Sequence, residues 1–327
     1  MYFNIQALVS QLSCLLIEKI KIRIGKGEFI MEGNELRPNK VGNIVRWAVV
    51  ALYAVIIWFV GHNPGAVPGL VIFLGWTLML LHAPKRYGWK NALIFMAGAY
   101  IISTFMEAMS VATGFPFGPY DYASMGPNAV KIAGVPFMVG IFYIALGYLS
   151  WTVASLILNH ADRRLDKKIN IFLMPIVSAF VMCQFDLVQD PATSTFGAIW
   201  TWREGGGVLG VPLVNFLGWF LTCYLVFQVF TLFLARDKNG VKNIPEFKTK
   251  SFWLQPILFY MLIGISYIPQ YFAFMNDTTV VTDMAGQPWI VNTIFETAVT
   301  TMLFTMLFSS VLAIINVFKD RTVRKSC

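Results

Sequence analysis

Apolar runs of about twenty residues recur along the chain, and they restrict its fold more than anything else in the sequence. A helix needs about 20 consecutive apolar residues to cross roughly 30 Å of hydrocarbon. Eight runs meet that length, at 43–61, 66–83, 91–112, 133–158, 169–188, 211–235, 253–275 and 289–318. Only 13% of the 327 residues are charged and 57% are hydrophobic, with a mean hydropathy of +0.64. A soluble domain would carry about twice that charged fraction. The expected fold class is therefore all-α: a polytopic membrane bundle of about eight transmembrane helices. No soluble domain is expected, since the longest polar stretch, 236–252, has the length of a loop.

Residues 43–318 make up this bundle, with a 42-residue segment before it and a basic tail, 319–327, after it. The early run NIQALVSQLSCLLIEKIKIRI has its basic residues after its apolar part and shows no small-residue cleavage site. That order fits an amphipathic helix lying in the membrane interface rather than a signal peptide. Lysine and arginine alternate with the spans. Of the 25, 23 fall on one side and only Lys131 and Arg203 on the other. The positive-inside rule then places both termini in the cytoplasm of a multi-pass cell-membrane protein. The net charge of +8 reflects that topology and the anionic headgroups of the bilayer, not nucleic acid.

Cys14, Cys183, Cys223 and Cys327 follow no metal-ligand spacing, and His62, His82 and His160 stand singly at span ends. Neither type calls for a metal or another cofactor.

Two loops on the sparsely charged side repeat one another. Ten residues after Glu107 comes Phe117-Gly118-Pro119-Tyr120-Asp121-Tyr122, then Gly134-Val135-Pro136 and a helix. Ten residues after Asp186 comes Phe196-Gly197-Ala198-Ile199-Trp200-Thr201-Trp202, then Gly210-Val211-Pro212 and a helix. The shared order predicts a duplicated hairpin, 91–158 and 169–235. Pro68 and Pro288 are weaker echoes at similar spacing, and a parallel repeat has its axis along the membrane normal.

The duplication sets Glu107 and Asp186 at similar depth beneath two aromatic loops. A carboxylate in hydrocarbon is costly, so it faces a cavity or a partner, and it is a functional candidate by default. Asp190 follows Asp186 by four residues and shares its helical face. Two acids that close favour one protonated beside one ionised. Pro191 is expected to end that helix. Arg203 is a partner for Asp190 or Asp121, and Asn215 is placed to hydrogen-bond across the bundle. Tyr120, Tyr122, Trp200 and Trp202 read either as an interfacial belt or as the walls of a site. Gln270 and Glu296, both within spans, receive no role.

The runs EAMSVATGFPFGPYDY, with AGVPF after it, and DLVQDPATSTFGAIWTWREGGGVLGVPLVNFLGW resemble the carotenoid biosynthesis membrane family of CruF-type carotenoid 1,2-hydratases, bacterioruberin-pathway members included. The resemblance covers most of spans 2 to 8. It implies cofactor-independent addition of water across the terminal 1,2 double bond of an acyclic or monocyclic carotenoid such as lycopene, leaving a tertiary 1-hydroxyl. Partners would be that substrate, water, the bilayer and other enzymes of the pathway. Such chemistry needs a general acid, a base and a cation-stabilising wall. Glu107 and Asp186 are the candidates for acid and base, with Asp190 tuning Asp186. Tyr120, Asp121, Tyr122, Trp200, Trp202 and Asn215 are the candidates for substrate binding. A multi-pass transporter, another carotenoid-modifying enzyme and a pigment-binding scaffold stand as alternatives.

Overall fold

The computed structural model describes residues 40–59, 66–122, 130–237, 240–241 and 244–319. The expected amphipathic segment before residue 40, the tail after 319, and Cys14, His62 and Cys327 lie outside them. Among the described residues seven helices are long and apolar enough to cross a membrane. They are α1 (Lys40–Phe59), α2 (Ala66–Thr113), α3 (Phe137–Ile157), α4 (Lys168–Phe196), α5 (Leu213–Arg236), α6 (Lys250–Phe274) and α7 (Val291–Lys319).

Seven helices differ from the eight expected runs because α2 holds two of them. Its 48 residues would reach about 72 Å if straight, more than twice a hydrocarbon layer. The helix instead breaks at Gly88, whose φ of 75° and ψ of 162° are not helical; glycine takes such angles without a Cβ penalty. Contacts with α3 show that the chain reverses there. His82 Nδ1 meets the Tyr148 hydroxyl and Arg86 reaches Thr152 and Ser155, so the first limb runs parallel to α3. Phe95 meets Tyr148, Tyr100 meets Phe137, and a Cβ on Gly134 would touch Val111, so the second limb runs antiparallel. The limbs match the expected 66–83 and 91–112 spans.

Helix α3 is the axis of the bundle. From Phe142 to Leu156 every residue is buried, as a helix apolar all round requires. Small residues let its neighbours close in: a Cβ on Gly140 would sit 2.5 Å from the Tyr100 ring. At the far end from Glu107, Arg86 donates to Asp162 at 2.8 Å, and both side chains are fully buried. Ser155 (2.5 Å) and Tyr87 (2.8 Å) also donate to Asp162. Arg86, one of the 23 basic residues counted on one side, is therefore part of the core.

Short strands shape the other end. β1 (Tyr120–Asp121) and β4 (Thr201–Trp202) pair antiparallel, Tyr120 opposite Trp202. β2 (Lys131–Ile132) and β3 (Val135–Pro136) form a two-residue hairpin over Ala133-Gly134, φ 49° and 84°. The second loop repeats that turn. Val208 bridges Val211 over Leu209-Gly210, φ 52° and 89°. Two successive positive φ values define the type I′ hairpin turn. β5 (Val280–Thr282) and β6 (Pro288–Ile290) make a third hairpin between α6 and α7.

Candidate active site

The two repeated loops lie against each other through β1 and β4 and close over the ends of α2, α3, α4 and α5. Phe117, Tyr120, Tyr122, Val135, Trp202 and Val211 form an apolar cluster of their own beneath this cover, separate from the main core. The Trp202 indole N–H donates to the Phe117 carbonyl at 2.9 Å, tying one loop to the other. Beneath them is a cavity of about 490 Å³, within the range of small-molecule sites.

Glu107, buried near the end of α2, projects into this cavity. Three phenol hydroxyls donate to its carboxylate: Tyr143 to Oε1 at 3.0 Å, and Tyr122 at 3.1 Å together with Tyr120 to Oε2. Burial first, and then the Glu107 charge, push the Tyr120 and Tyr122 phenols well above their ordinary range. Both therefore stay protonated and act as donors. Tyr143 is itself stacked on Trp219, with ring centroids 4.9 Å apart.

The second acidic group comes from α4. Asn215, one turn into α5, donates through its single Nδ2 to Asp190 Oδ2 at 2.6 Å and to Asp186 Oδ2 at 3.1 Å. The α-helical ladder ends at Asp190, as Pro191 requires, but the chain does not leave the helix axis there as expected. It continues through a wider π turn, Pro191–Phe196. A π turn is compatible with proline's missing N–H, and such turns concentrate at functional sites. Asp190 lines the cavity, whereas Asp186 is a turn deeper, fully buried, with Oδ1 free of any hydrogen-bond partner.

The candidates from sequence thus divide. Glu107, Tyr120, Tyr122, Asp190, Trp200, Trp202 and Asn215 line one cavity. Asp186 reaches it only through Asn215 and Asp190. Asp121 points away and pairs with Arg203 at 3.8 Å, settling the partner of that arginine. Tyr143, Trp219 and Gln189 are among the wall residues that were not foreseen. Tyr143 and Trp219 sit in runs so uniformly apolar that nothing marks them out. Gln189 carried a signal, being an amide within a span beside two acids, and its Oε1 is buried without a partner. Glu296 is exposed on α7 and Gln270 is buried at the core. No group of three or more His, Cys, Asp or Glu side chains able to hold a metal occurs among the described residues.

No curated protein and no solved structure matches the chain. A family model described as "Carotenoid biosynthesis protein" matches residues 67–277. The match begins in the first limb of α2 and runs beyond α6, so it takes in every wall of the cavity. This membrane-spanning chain belongs to the carotenoid biosynthesis protein family.

Proposed function

We propose that the protein is a carotenoid 1,2-hydratase, a hydro-lyase acting in the cell membrane on the acyclic end of a carotenoid such as lycopene. The observation that carries this reading is one apolar cavity with an acid on each of two walls: Asp190, backed by Asp186, and Glu107 under three phenols. Two carboxyls that share one amide N–H₂ away from water repel each other unless a proton lies between them. The aspartate pair then holds one proton, and Asp190, the member on the wall, presents it.

Hydration begins as that proton passes from Asp190 to carbon 2 of the terminal double bond. The π electrons form the new C–H bond and leave a tertiary cation at carbon 1. The faces of Tyr120, Tyr122, Trp200 and Trp219 stabilise the cation without trapping it. Water attacks carbon 1 and gives its proton to Glu107. The sum is one water added and no change in oxidation state, and the cycle closes when the proton on Glu107 is returned, by way of water, to the aspartate pair. The three phenols that donate to Glu107 hold its carboxylate in place to receive that proton. Asp186 is a positioning residue, since it acts through Asp190. From sequence, Glu107 and Asp186 share the acid and base duties in an order left open, with Asp190 tuning Asp186; the proposal exchanges the two aspartates, because Asp190 and not Asp186 lines the cavity.

Expression in a lycopene-producing host with chromatography and mass spectrometry of the pigments tests the reading. The wild type should yield more polar products one or two waters heavier with an unchanged chromophore. Asp190→Asn and Glu107→Gln should each lower their yield at least a hundredfold at equal membrane content. Full activity in either variant, or an unchanged pigment mass from the wild type offered acyclic and monocyclic carotenoids, refutes the proposal.

A further inference from the structure

The cavity is not walled evenly. Its polar back, Glu107, Tyr143, Asp190 and Asn215, is buried, whereas the rest of its rim, among the described residues, is apolar and ranges from half-buried (Pro68, Gly69, Ile72, Met138) to exposed (Val130, Phe137). One lip is the start of α2, with Pro68, Gly69 and Ile72; the other is the approach to α3, with Val130, Phe137 and Met138. Val130 is 74% exposed and Phe137 42%. A Cβ on Gly69 would meet no atom within 4 Å. The α2 lip leads into the π turn Val71–Gly75, whose Gly75 packs on Ala145 and Phe259 while Phe73 lies 65% exposed. One face of this segment is therefore fixed to the bundle and the other is turned outward. Exposed apolar side chains on helices long enough to cross a membrane face lipid, not water.

From this asymmetry we infer that the cavity is a dead-end socket loaded sideways from the bilayer, through a portal between Gly69 on α2 and Met138 on α3. It takes a rod-shaped apolar molecule end first. The terminal group meets the acids at the back, and the remainder stays in lipid. The inference rests on the hydratase reading for the identity of the substrate, a long polyene, but not for the route. It also bears on substrate choice. A bulky ring at the entering end must pass between the two lips, whereas the far end stays outside and is not selected. A molecule with two open ends would be converted in two separate visits, leaving the singly hydrated product as a free intermediate.

The test uses the full-length chain in membranes of the pigment-producing host. Gly69→Trp and Met138→Trp fill the two lips. Gly98→Trp is the control, because a Cβ on Gly98 also meets nothing within 4 Å yet the residue is not part of the cavity wall. Two quantities are read for purified, monodisperse protein: product formed in the cells, and pigment retained by the same variants on an Asp190→Asn background. Both lip variants should lower product and retained pigment at least tenfold, and Gly98→Trp should change neither by more than about twofold. If Gly69→Trp and Met138→Trp load and convert pigment like the wild type, the portal is wrong. Should the control lose pigment as fully as the lip variants, the route claimed here is wrong as well. Normal loading of the wild type, lost in both lip variants, with no change in pigment mass would sustain the portal and remove the hydratase reading alone.

Discussion

Glu107 accepts from three phenols at two oxygens, an unusual concentration of donors on one buried carboxylate. A hydrogen bond to a charged group contributes about 1.5–3 kcal/mol, so Tyr143→Phe should reduce turnover by about ten- to a hundredfold while leaving retained pigment near normal. Comparison of conversion rate with pigment retained per protein reads the two apart, and a loss confined to retention would contradict the assignment. Asp162 offers a second residue-scale check, remote from the cavity. Burial by itself would raise its carboxyl, but the Arg86 guanidinium, helped by Ser155 and Tyr87, outweighs that and holds it below the usual range. A depressed folded value means that the stabilisation is complete above the ordinary carboxyl range near 4 and is lost as pH falls through the lower folded value. Asp162→Asn leaves a buried guanidinium without its counter-charge, a cost on the order of 3–5 kcal/mol. The variant's unfolding midpoint in detergent should be several degrees lower at neutral pH and lose the wild type's acid-dependent decline. An unchanged midpoint would show that the pair is not structural.

At the scale of elements, the spans were legible because hydrophobic length is a direct consequence of bilayer thickness. The fusion of two spans in α2 was not, since only the angles at Gly88 show that the break is a reversal within a continuous helical segment. The pairing of acids on α4 followed from helical spacing, and the structure adds Asn215 as the group joining them. Which of the two acids faces the substrate was not legible: Asp186 and Asp190 differ by about one turn, and depth in a bundle is set by packing. Tyr143 escaped for a related reason. In α3 almost every residue is buried and apolar, so no periodicity distinguishes the face turned toward Glu107. The aromatic loops were readable as a pair, and their common type I′ turns over Ala133-Gly134 and Leu209-Gly210 are the observation on which the proposal of a duplicated hairpin rests.

For the whole molecule, the two ends of the bundle differ in kind. One carries the acids, the aromatic cover and the portal; the other carries the buried Arg86–Asp162 pair. Charge counting predicts that the first end faces outside. With the native cysteines replaced, Lys131→Cys and Arg203→Cys should react with a membrane-impermeant maleimide added to intact cells, and Lys167→Cys only after lysis. The reverse pattern would invert the molecule while leaving its chemistry in place. The central claim concerns that chemistry, and water labelled with the heavy oxygen isotope tests it most directly. Membranes containing the wild type, Asp190→Asn or Glu107→Gln would be incubated with an acyclic carotenoid in labelled water, and the products weighed. Hydration across Asp190 and Glu107 predicts one heavy oxygen per hydroxyl in wild-type product and none above background in either variant. Wild-type pigment that carries no heavy oxygen, or label that persists in both variants, would contradict the account.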